Sequence, residues 1–318
     1  MSKNRQWIVL SLFLLLLGSL IFAYKVFWLG FPALPDLTSE VWMVQVRLEI
    51  RPEEGPVRAS LILPSRSSGY TVSRENFISR GFGLTVEEDL FRRQADWAIR
   101  HLPESKTLYY RAMVMPDTRN TRFAKKPGPP QLPVMEEPFA SALTDIVEEV
   151  RAESADIESF TAAVLYRLSR NKVDENTALF LSDVETPLEM ARLAKTLLAA
   201  ADIPSLLVHG VMLQSDIQRA PVHTMLAVYD GDDWLLFDPV SGHQGIPDGF
   251  MIWWRDDEIM ATVSGATLQD VQISIKRRTE SALDLATQRA ELKHSRIGKF
   301  SVLQLPVQTQ TVYELLRL

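Results

Sequence analysis

The first pattern along the chain is an apolar stretch at residues 7–29, which is interrupted by Lys25. A helix of about 20 apolar residues is long enough to cross a bilayer. Lys3 and Arg5 precede the stretch, and basic residues on a short flank favour the cytoplasmic side of a membrane. The pattern therefore predicts a transmembrane anchor in an N-terminal segment 1–35, with a cleaved signal peptide as the alternative.

Beyond this segment, apolar and polar residues alternate with a period of two, which is typical of a strand with one buried face. The apolar positions are Trp42, Val44, Val46, Leu48 and Ile50. Short apolar segments at 57–64, 81–87 and 106–116 also favour strands, so the sequence predicts a small, mostly β domain over residues 36–118. The proline-rich stretch "PGPPQLP" then indicates a linker at 119–135, because proline does not fit inside a helix or a central strand.

After the linker, the apolar residues change to helical spacing. One helix is predicted at about 139–153 and another around 157–168. A third has a continuous apolar stripe formed by Met190, Ala191, Ala194, Leu197, Leu198 and Ala201. A strand at 205–213 and a hairpin at 223–238 follow. The sequence thus predicts an α+β protein whose second domain, residues 136–280, packs helices against an antiparallel sheet.

The hairpin brings two titratable side chains to one face. Asp230-Gly231 favours a two-residue type I′ turn, which would place His223 directly opposite Asp238. A four-residue loop would shift the pairing by two residues and leave the two side chains diagonal on the same face. A histidine held by an aspartate is the base of a catalytic triad, whereas a buried polar pair that satisfies itself is the structural alternative.

The composition excludes several kinds of site. The chain has no cysteine, which excludes disulfides, zinc–thiolate sites and a cysteine nucleophile. The net charge of −6 argues against nucleic-acid binding, which requires a basic face. The five histidines do not show the spacing of a metal-binding motif, so the sequence predicts neither a metal nor a cofactor.

Two stretches, "EMARLAKTLLAAADIPSLLVHGVML" and "HTMLAVYDGDDWLLFDP", carry a resemblance to a known fold. Their order of helix, strand and hairpin resembles the bacterial transglutaminase-like fold, a relative of the papain-type cysteine proteases. The family pattern places the nucleophilic cysteine four residues before an alanine that corresponds to Ala191. His223 and Asp238 match the family's histidine and aspartate. By this match, the cysteine position is occupied by Pro187.

The residues around Pro187 are suited to starting a helix. Thr186 fits the N-cap, Pro187 fits the first helical position, and Glu189 fits the partner position of a capping box. Because proline carries no nucleophile, thiol acyl-transfer chemistry is absent. The sequence predicts that the protein is not an enzyme.

More specifically, the whole chain resembles the inactive transglutaminase-like proteins that are fused to seven transmembrane helices in bacterial membranes. Residues 281–318 stop where such proteins begin their membrane bundle, so the chain is either a version without the seven-helix part or, as we expect, a segment of a longer protein. The resemblance implies a cytoplasmic N-terminus and main domains on the outer side of the bacterial cytoplasmic membrane. It also implies an association with ATP-grasp ligases of the glutamate-adding type and with a retropepsin-like protease, and hence a peptide or glutamate-modified ligand.

The vestigial catalytic cleft is the predicted ligand site. Its candidate ligand-binding residues are Glu189, His223, Trp234 and Asp238. One alternative function is an assembly platform for membrane partners. Another is a hydrolase or acyltransferase in which Ser182, Asp183 or Thr186 replaces the cysteine.

Overall fold

The computed structural model describes residues 3–25, 39–64, 69–89, 92–117, 127–171, 174–182, 184–214 and 216–280. The C-terminal segment 281–318 and residues 26–35 of the predicted anchor segment lie outside this part of the chain. Contacts divide the chain into two units, Glu40–Arg278 and a second that includes helix α1 (Lys3–Ala23). Among the described residues, no helix combines the length and the apolar character that a membrane span requires.

After α1, strands come first along the chain, then helices, then strands again. The described strands are β1 (Ser39–Pro52), β2 (Val57–Leu63), β3 (Tyr70–Ile78), β4 (Gly83–Glu88), β5 (Arg93–Ile99), β6 (Lys106–Pro116), β7 (Ser205–Met212), β8 (His223–Tyr229), β9 (Trp234–Phe237), β10 (Phe250–Arg255), β11 (Ala261–Ser264) and β12 (Ala266–Glu280). The helices between β6 and β7 are α2 (Phe139–Glu153), α3 (Ile157–Tyr166), α4 (Glu175–Leu181) and α5 (Pro187–Ala200), with a π-helical turn at Arg167–Asn171.

Within the described residues, the strands form three sheets of four strands each. The first sheet has the order β12-β1-β6-β3, the second β11-β2-β5-β4, and the third β10-β7-β8-β9. Antiparallel pairing joins β1 to β6, β3 to β6, β2 to β5, β4 to β5, β11 to β2, β7 to β8, β10 to β7 and β8 to β9; Trp42 of β1, for example, lies opposite Val114 of β6. This mixture of helices and antiparallel sheets agrees with the predicted α+β class.

Strands β11 and β12 differ from the predicted domain organisation. The sequence assigned residues 136–280 to a second domain, but Ala261 of β11 pairs with Leu61 of β2, and β12 lies beside β1. Both strands therefore extend sheets that begin in the N-terminal half of the chain. A strand's partner depends on packing between side chains that are distant in sequence, so the local pattern could not reveal this arrangement.

The first two sheets share one hydrophobic core. All five predicted apolar positions of β1 are buried, which confirms the period-two pattern. Trp253 of β10 enters the same core and is fully buried. Its indole N–H donates to the carbonyl of Ile62 at 2.8 Å, which ties the third sheet to the second.

Helix α5 packs on β7 and β8 of the third sheet. Its predicted apolar stripe is confirmed by the nearly complete burial of Ala191, Ala194, Leu197 and Leu198. Past the end of the helix, Asp202 adopts the left-handed conformation with φ of 62°, which aspartate tolerates better than most residues. The amide of Ile203 donates to the carbonyl of Leu198 at 2.8 Å, and the chain then enters β7.

Candidate functional site

The β8–β9 hairpin has a four-residue loop, so the two-residue loop predicted from Asp230-Gly231 is wrong. Tyr229 lies opposite Trp234. The Asp230 carboxylate accepts hydrogen bonds from the amides of Asp232 and Asp233, at 2.9 and 2.8 Å, and these bonds stabilise the longer loop. A type I′ turn would need positive φ at both central residues, but only Gly231 of the predicted pair has it, at 115°.

Asp238 lies one residue beyond the end of β9, and within the described residues no hydrogen bond joins its side chain to that of His223. The Asp238 carboxylate instead accepts from the amides of Val240 and Ser241, at 2.9 and 2.8 Å. It thereby closes the turn that follows β9. His223, the first residue of β8, is exposed. The aspartate therefore does not orient the imidazole as a triad aspartate would.

The N-terminus of α5 has the predicted capping box. The Thr186 hydroxyl accepts from the Glu189 amide at 3.2 Å, and the Glu189 carboxylate accepts from the amides of Glu185 and Thr186 at 2.9 and 2.8 Å. These backbone hydrogen bonds lower the pKa of Glu189. Pro187 is the first helical residue, as predicted.

A cavity of about 1030 Å³, called the cleft below, brings the start of α5 together with the hairpin. Thr186, Pro187, His223 and Asp238 all line it. The structure therefore gathers the vestigial catalytic positions around one space, although it does not couple His223 to Asp238. A volume of this size is typical of ligand pockets.

Two of the predicted ligand-binding residues lie elsewhere. Glu189 does not contribute to the cleft lining, and its carboxylate is engaged by the backbone of its own helix. Trp234 lies on the predicted face of the hairpin, together with Met225 and Leu236. It lies at the loop end, however, where its ring contacts Tyr229 at a centroid distance of 5.4 Å. It lines a different cavity of about 1160 Å³.

His209 lines the cleft from β7 and is 5% exposed. Its Nε2 donates to the carbonyl oxygen of Asp256 at 2.9 Å, because a carbonyl can only accept, and its Nδ1 lies 3.0 Å from the Thr224 hydroxyl. Its ring stacks on Trp254 at 4.8 Å. Burial lowers the pKa of His209. His209 is thus a satisfied interior histidine at the wall of the cleft.

The sequence did not predict the contribution of β12. Val271 and Ile273 of this strand line the cleft. Backbone hydrogen bonds join the loop before His223 to β12. The Ile217 amide donates to the Ile275 carbonyl at 3.0 Å, and the Ile275 amide donates back at 2.8 Å. The Ala220 amide donates to the Ile273 carbonyl at 2.8 Å. The spacing of apolar residues in β12 could have indicated a strand, but not its place beside the cleft.

Two of the three side chains proposed to replace the cysteine nucleophile, the hydroxyls of Ser182 and Thr186, have structural roles. Thr186 caps α5, and Ser182 donates to the carbonyl of Leu179 at 3.1 Å. Asp183 lies outside the described residues. Within the described part of the chain, no three histidine, aspartate or glutamate side chains are grouped to hold a metal ion.

Sequence comparison identifies the family. Residues 24–184 match the family described as "Inactive transglutaminase fused to 7 transmembrane helices", and residues 258–318 match "7 transmembrane helices usually fused to an inactive transglutaminase". The first match spans about half of the chain. The chain belongs to the family of inactive transglutaminases fused to seven transmembrane helices. In this chain, α5 and the hairpin lie between the two matched regions, whereas β11 and β12 lie within the second.

One solved structure shows a similar fold. A candidate cysteine protease from Cytophaga hutchinsonii is similar with a TM-score of 0.52 at 13% identity, over 75% of this chain and 91% of that one. At this identity the likeness shows the fold alone. A candidate protease from Parabacteroides distasonis has a TM-score of only 0.21 at 12% identity, over 63% and 47% of the two chains. No curated protein matches this sequence.

Proposed function

We propose that this inactive transglutaminase recognises a peptide in the cleft without cleaving it. The observation that supports the proposal is the grouping of Pro187, His223 and Asp238 around one cavity. In a catalytic member of the fold, these positions would hold the nucleophile, the base and its orienting group. Here the space for an extended chain is kept, while the reacting groups are missing or uncoupled.

The absence of catalysis has two supports. The chain contains no cysteine, and its family is described as inactive. Pro187 occupies the first turn of α5, where an exposed helix N-terminus would favour a thiolate if a cysteine were present. We infer that Pro187 stands at the lost cysteine position and that the capping box has replaced the nucleophile.

The proposed location is the outer side of a bacterial cytoplasmic membrane. The family's fusion to transmembrane helices supports membrane attachment. An association with ATP-grasp ligases and a retropepsin-like protease remains a prediction from the family resemblance. No contact in the described residues bears on it.

The proposed function is tested by measuring how the full chain, reconstituted in lipid nanodiscs, binds to an array of short peptides. We expect wild type to retain a subset of blocked heptapeptides above empty nanodiscs, and His223→Ala to weaken that binding about tenfold, as expected when a hydrogen bond to a ligand is lost. His101→Ala is the matched control, because His101 is an exposed histidine outside the cleft. A folded wild type that retains no peptide would overturn the proposal and favour an assembly role.

A further inference from the structure

The walls of the cleft are mainly apolar. Side chains from several elements converge there, and the buried ones include Met225, Phe250, Trp254, Met260 and Ile273. Because they come from β8, β10, the loop before β11 and β12, the apolar surface is assembled by the tertiary fold. Methionine side chains are flexible and polarisable, which allows such a surface to adapt to apolar groups of different shape.

Apolar residues also form an exposed rim. Val222 is 41% exposed, Val240 is 54% exposed and Ile259 is 72% exposed, and all three line the cleft. Exposed apolar side chains that adjoin a cavity are typical of a binding surface. A ligand that covered this rim would remove apolar area from water on both sides of the interface.

The two arginines of the described cleft lining are already bound to aspartates. Arg219 makes two hydrogen bonds to Asp270 at 3.0 and 2.9 Å. Arg192 contacts Asp257 at 3.0 Å. A carboxylate on the ligand would have to compete with these pairs for its counterion.

The remaining charges of the lining are acidic. Asp238, Asp257 and Glu258 give three carboxylates against the two guanidiniums of Arg192 and Arg219. Glu258 is also paired, with Arg92 at 3.2 Å. A glutamate side chain entering the cleft would therefore meet repulsion and would lose its hydration without a free partner.

We propose that the cleft accepts an uncharged, apolar side chain of an extended peptide, such as leucine, methionine or phenylalanine, and discriminates against glutamate-rich peptides. This rests on the proposed peptide-binding function and specifies its ligand class. The apolar side chain occupies the space between Met225, Phe250 and Ile273, and the peptide backbone passes the exposed imidazole of His223. The adaptable methionines permit several apolar side chains at this position.

The test uses dye-labelled, end-blocked peptides of the sequence Gly-Ser-Ala-X-Ala-Ser-Gly, with leucine, glutamate or lysine at X. Binding to the full chain in lipid nanodiscs is measured by fluorescence anisotropy, with the signal from empty nanodiscs subtracted. We expect the leucine peptide to bind at least about tenfold more tightly than either charged peptide. Equal or tighter binding of the glutamate or lysine peptide overturns the inference.

Two variants locate the binding. Ile259→Ser changes an exposed rim residue, so it leaves the core intact and is expected to weaken leucine-peptide binding about threefold to tenfold. Ile78→Ser is the matched control, because Ile78 is an exposed isoleucine of β3 outside the cleft. Equal loss in both variants, or in neither, contradicts an apolar site in the cleft.

The outcomes separate this inference from the proposed function. Preferential binding of the glutamate peptide that is lost in His223→Ala would leave peptide recognition in place and overturn the apolar specificity. Failure of all three peptides to bind wild type above the signal of empty nanodiscs would overturn both. Leucine preference that depends on His223 and Ile259 supports both.

Discussion

The buried imidazole of His209 is held by hydrogen bonds and by ring stacking. Both ring nitrogens have hydrogen-bond partners, and the ring stacks on Trp254. Burial lowers its pKa below the ordinary value of about 6.5. The residue therefore stabilises the wall of the cleft in its neutral form.

This environment predicts a pH-dependent stability. Since the folded pKa is depressed, the unfolded chain takes up the proton first as the pH falls below about 6.5, and the free energy of unfolding decreases. We expect the melting temperature of wild type to fall between pH 7 and pH 5 by more than that of His209→Gln, which has no titratable group there. Thermal unfolding of the full chain in detergent at several pH values measures the difference.

His101→Ala serves as the matched control for this experiment, because His101 is an exposed histidine outside the cleft. At pH 7, His209→Gln should itself be less stable by about 1 kcal/mol through its lost hydrogen bond. Identical pH dependences of wild type and His209→Gln would show that another group is responsible.

At the scale of elements, the loop between β7 and β8 depends on β12. Backbone hydrogen bonds join Ile217 to Ile275 and Ala220 to Ile273, and the Arg219–Asp270 pair lies beside them. The loop leads directly into His223. β12 therefore holds one wall of the cleft and also the entry to the strand that carries the histidine.

Asp270→Asn should loosen this attachment without unfolding the protein. Arg219 is exposed and Asp270 is only half-buried, so the contribution of the pair is small, and we expect amide hydrogen exchange at Ile217 and Ala220 to accelerate by about twofold to fivefold. Hydrogen exchange measured by mass spectrometry on the full chain tests this. Asp248→Asn, at an exposed aspartate in the loop before β10, should leave the exchange of both amides unchanged. Faster exchange in both variants, or in neither, would contradict a specific role for the Asp270 pair.

At the scale of the whole molecule, a buried polar cluster joins the first and second sheets. Arg93 of β5 donates two hydrogen bonds to Glu75 of β3, at 3.1 and 2.7 Å, and the Tyr110 hydroxyl of β6 donates to the same carboxylate at 2.5 Å. The side chain of Arg93 is 6% exposed and that of Glu75 is 15% exposed. Such a cluster favours one arrangement of the two sheets, because any other would leave a buried charge unpaired.

Glu75→Gln should therefore destabilise the fold by about 3 kcal/mol, since it leaves the Arg93 guanidinium buried without its main counterion. Chemical denaturation of the full chain in detergent measures the change. The double variant Glu75→Gln/Arg93→Met should recover part of the loss by removing the stranded charge. Glu87→Gln, at an exposed glutamate of β4, should change the stability by less than about 0.5 kcal/mol. A Glu75→Gln protein as stable as the Glu87→Gln control would show that the cluster does not hold the sheets.

Local features of the sequence determined the individual elements. The period-two pattern of β1, the apolar stripe of α5 and the capping box at Thr186 and Glu189 are all present as predicted. They are readable because each depends on neighbours within one or two turns of helix or along one strand. The lack of cysteine and the proline at the start of α5 likewise required only the sequence.

Tertiary structure decided how the elements combine. The pairing of β12 with β1 joins residues more than 200 positions apart, and the cleft wall at Val271 and Ile273 follows from it. The partner of Asp238 was decided by the turn after β9, whose amides compete with His223 for the carboxylate. Hydrogen-bond competition and long-range packing depend on the positions of all partners at once, so the sequence predicted the parts of the site and the fold determined which of them face the cleft.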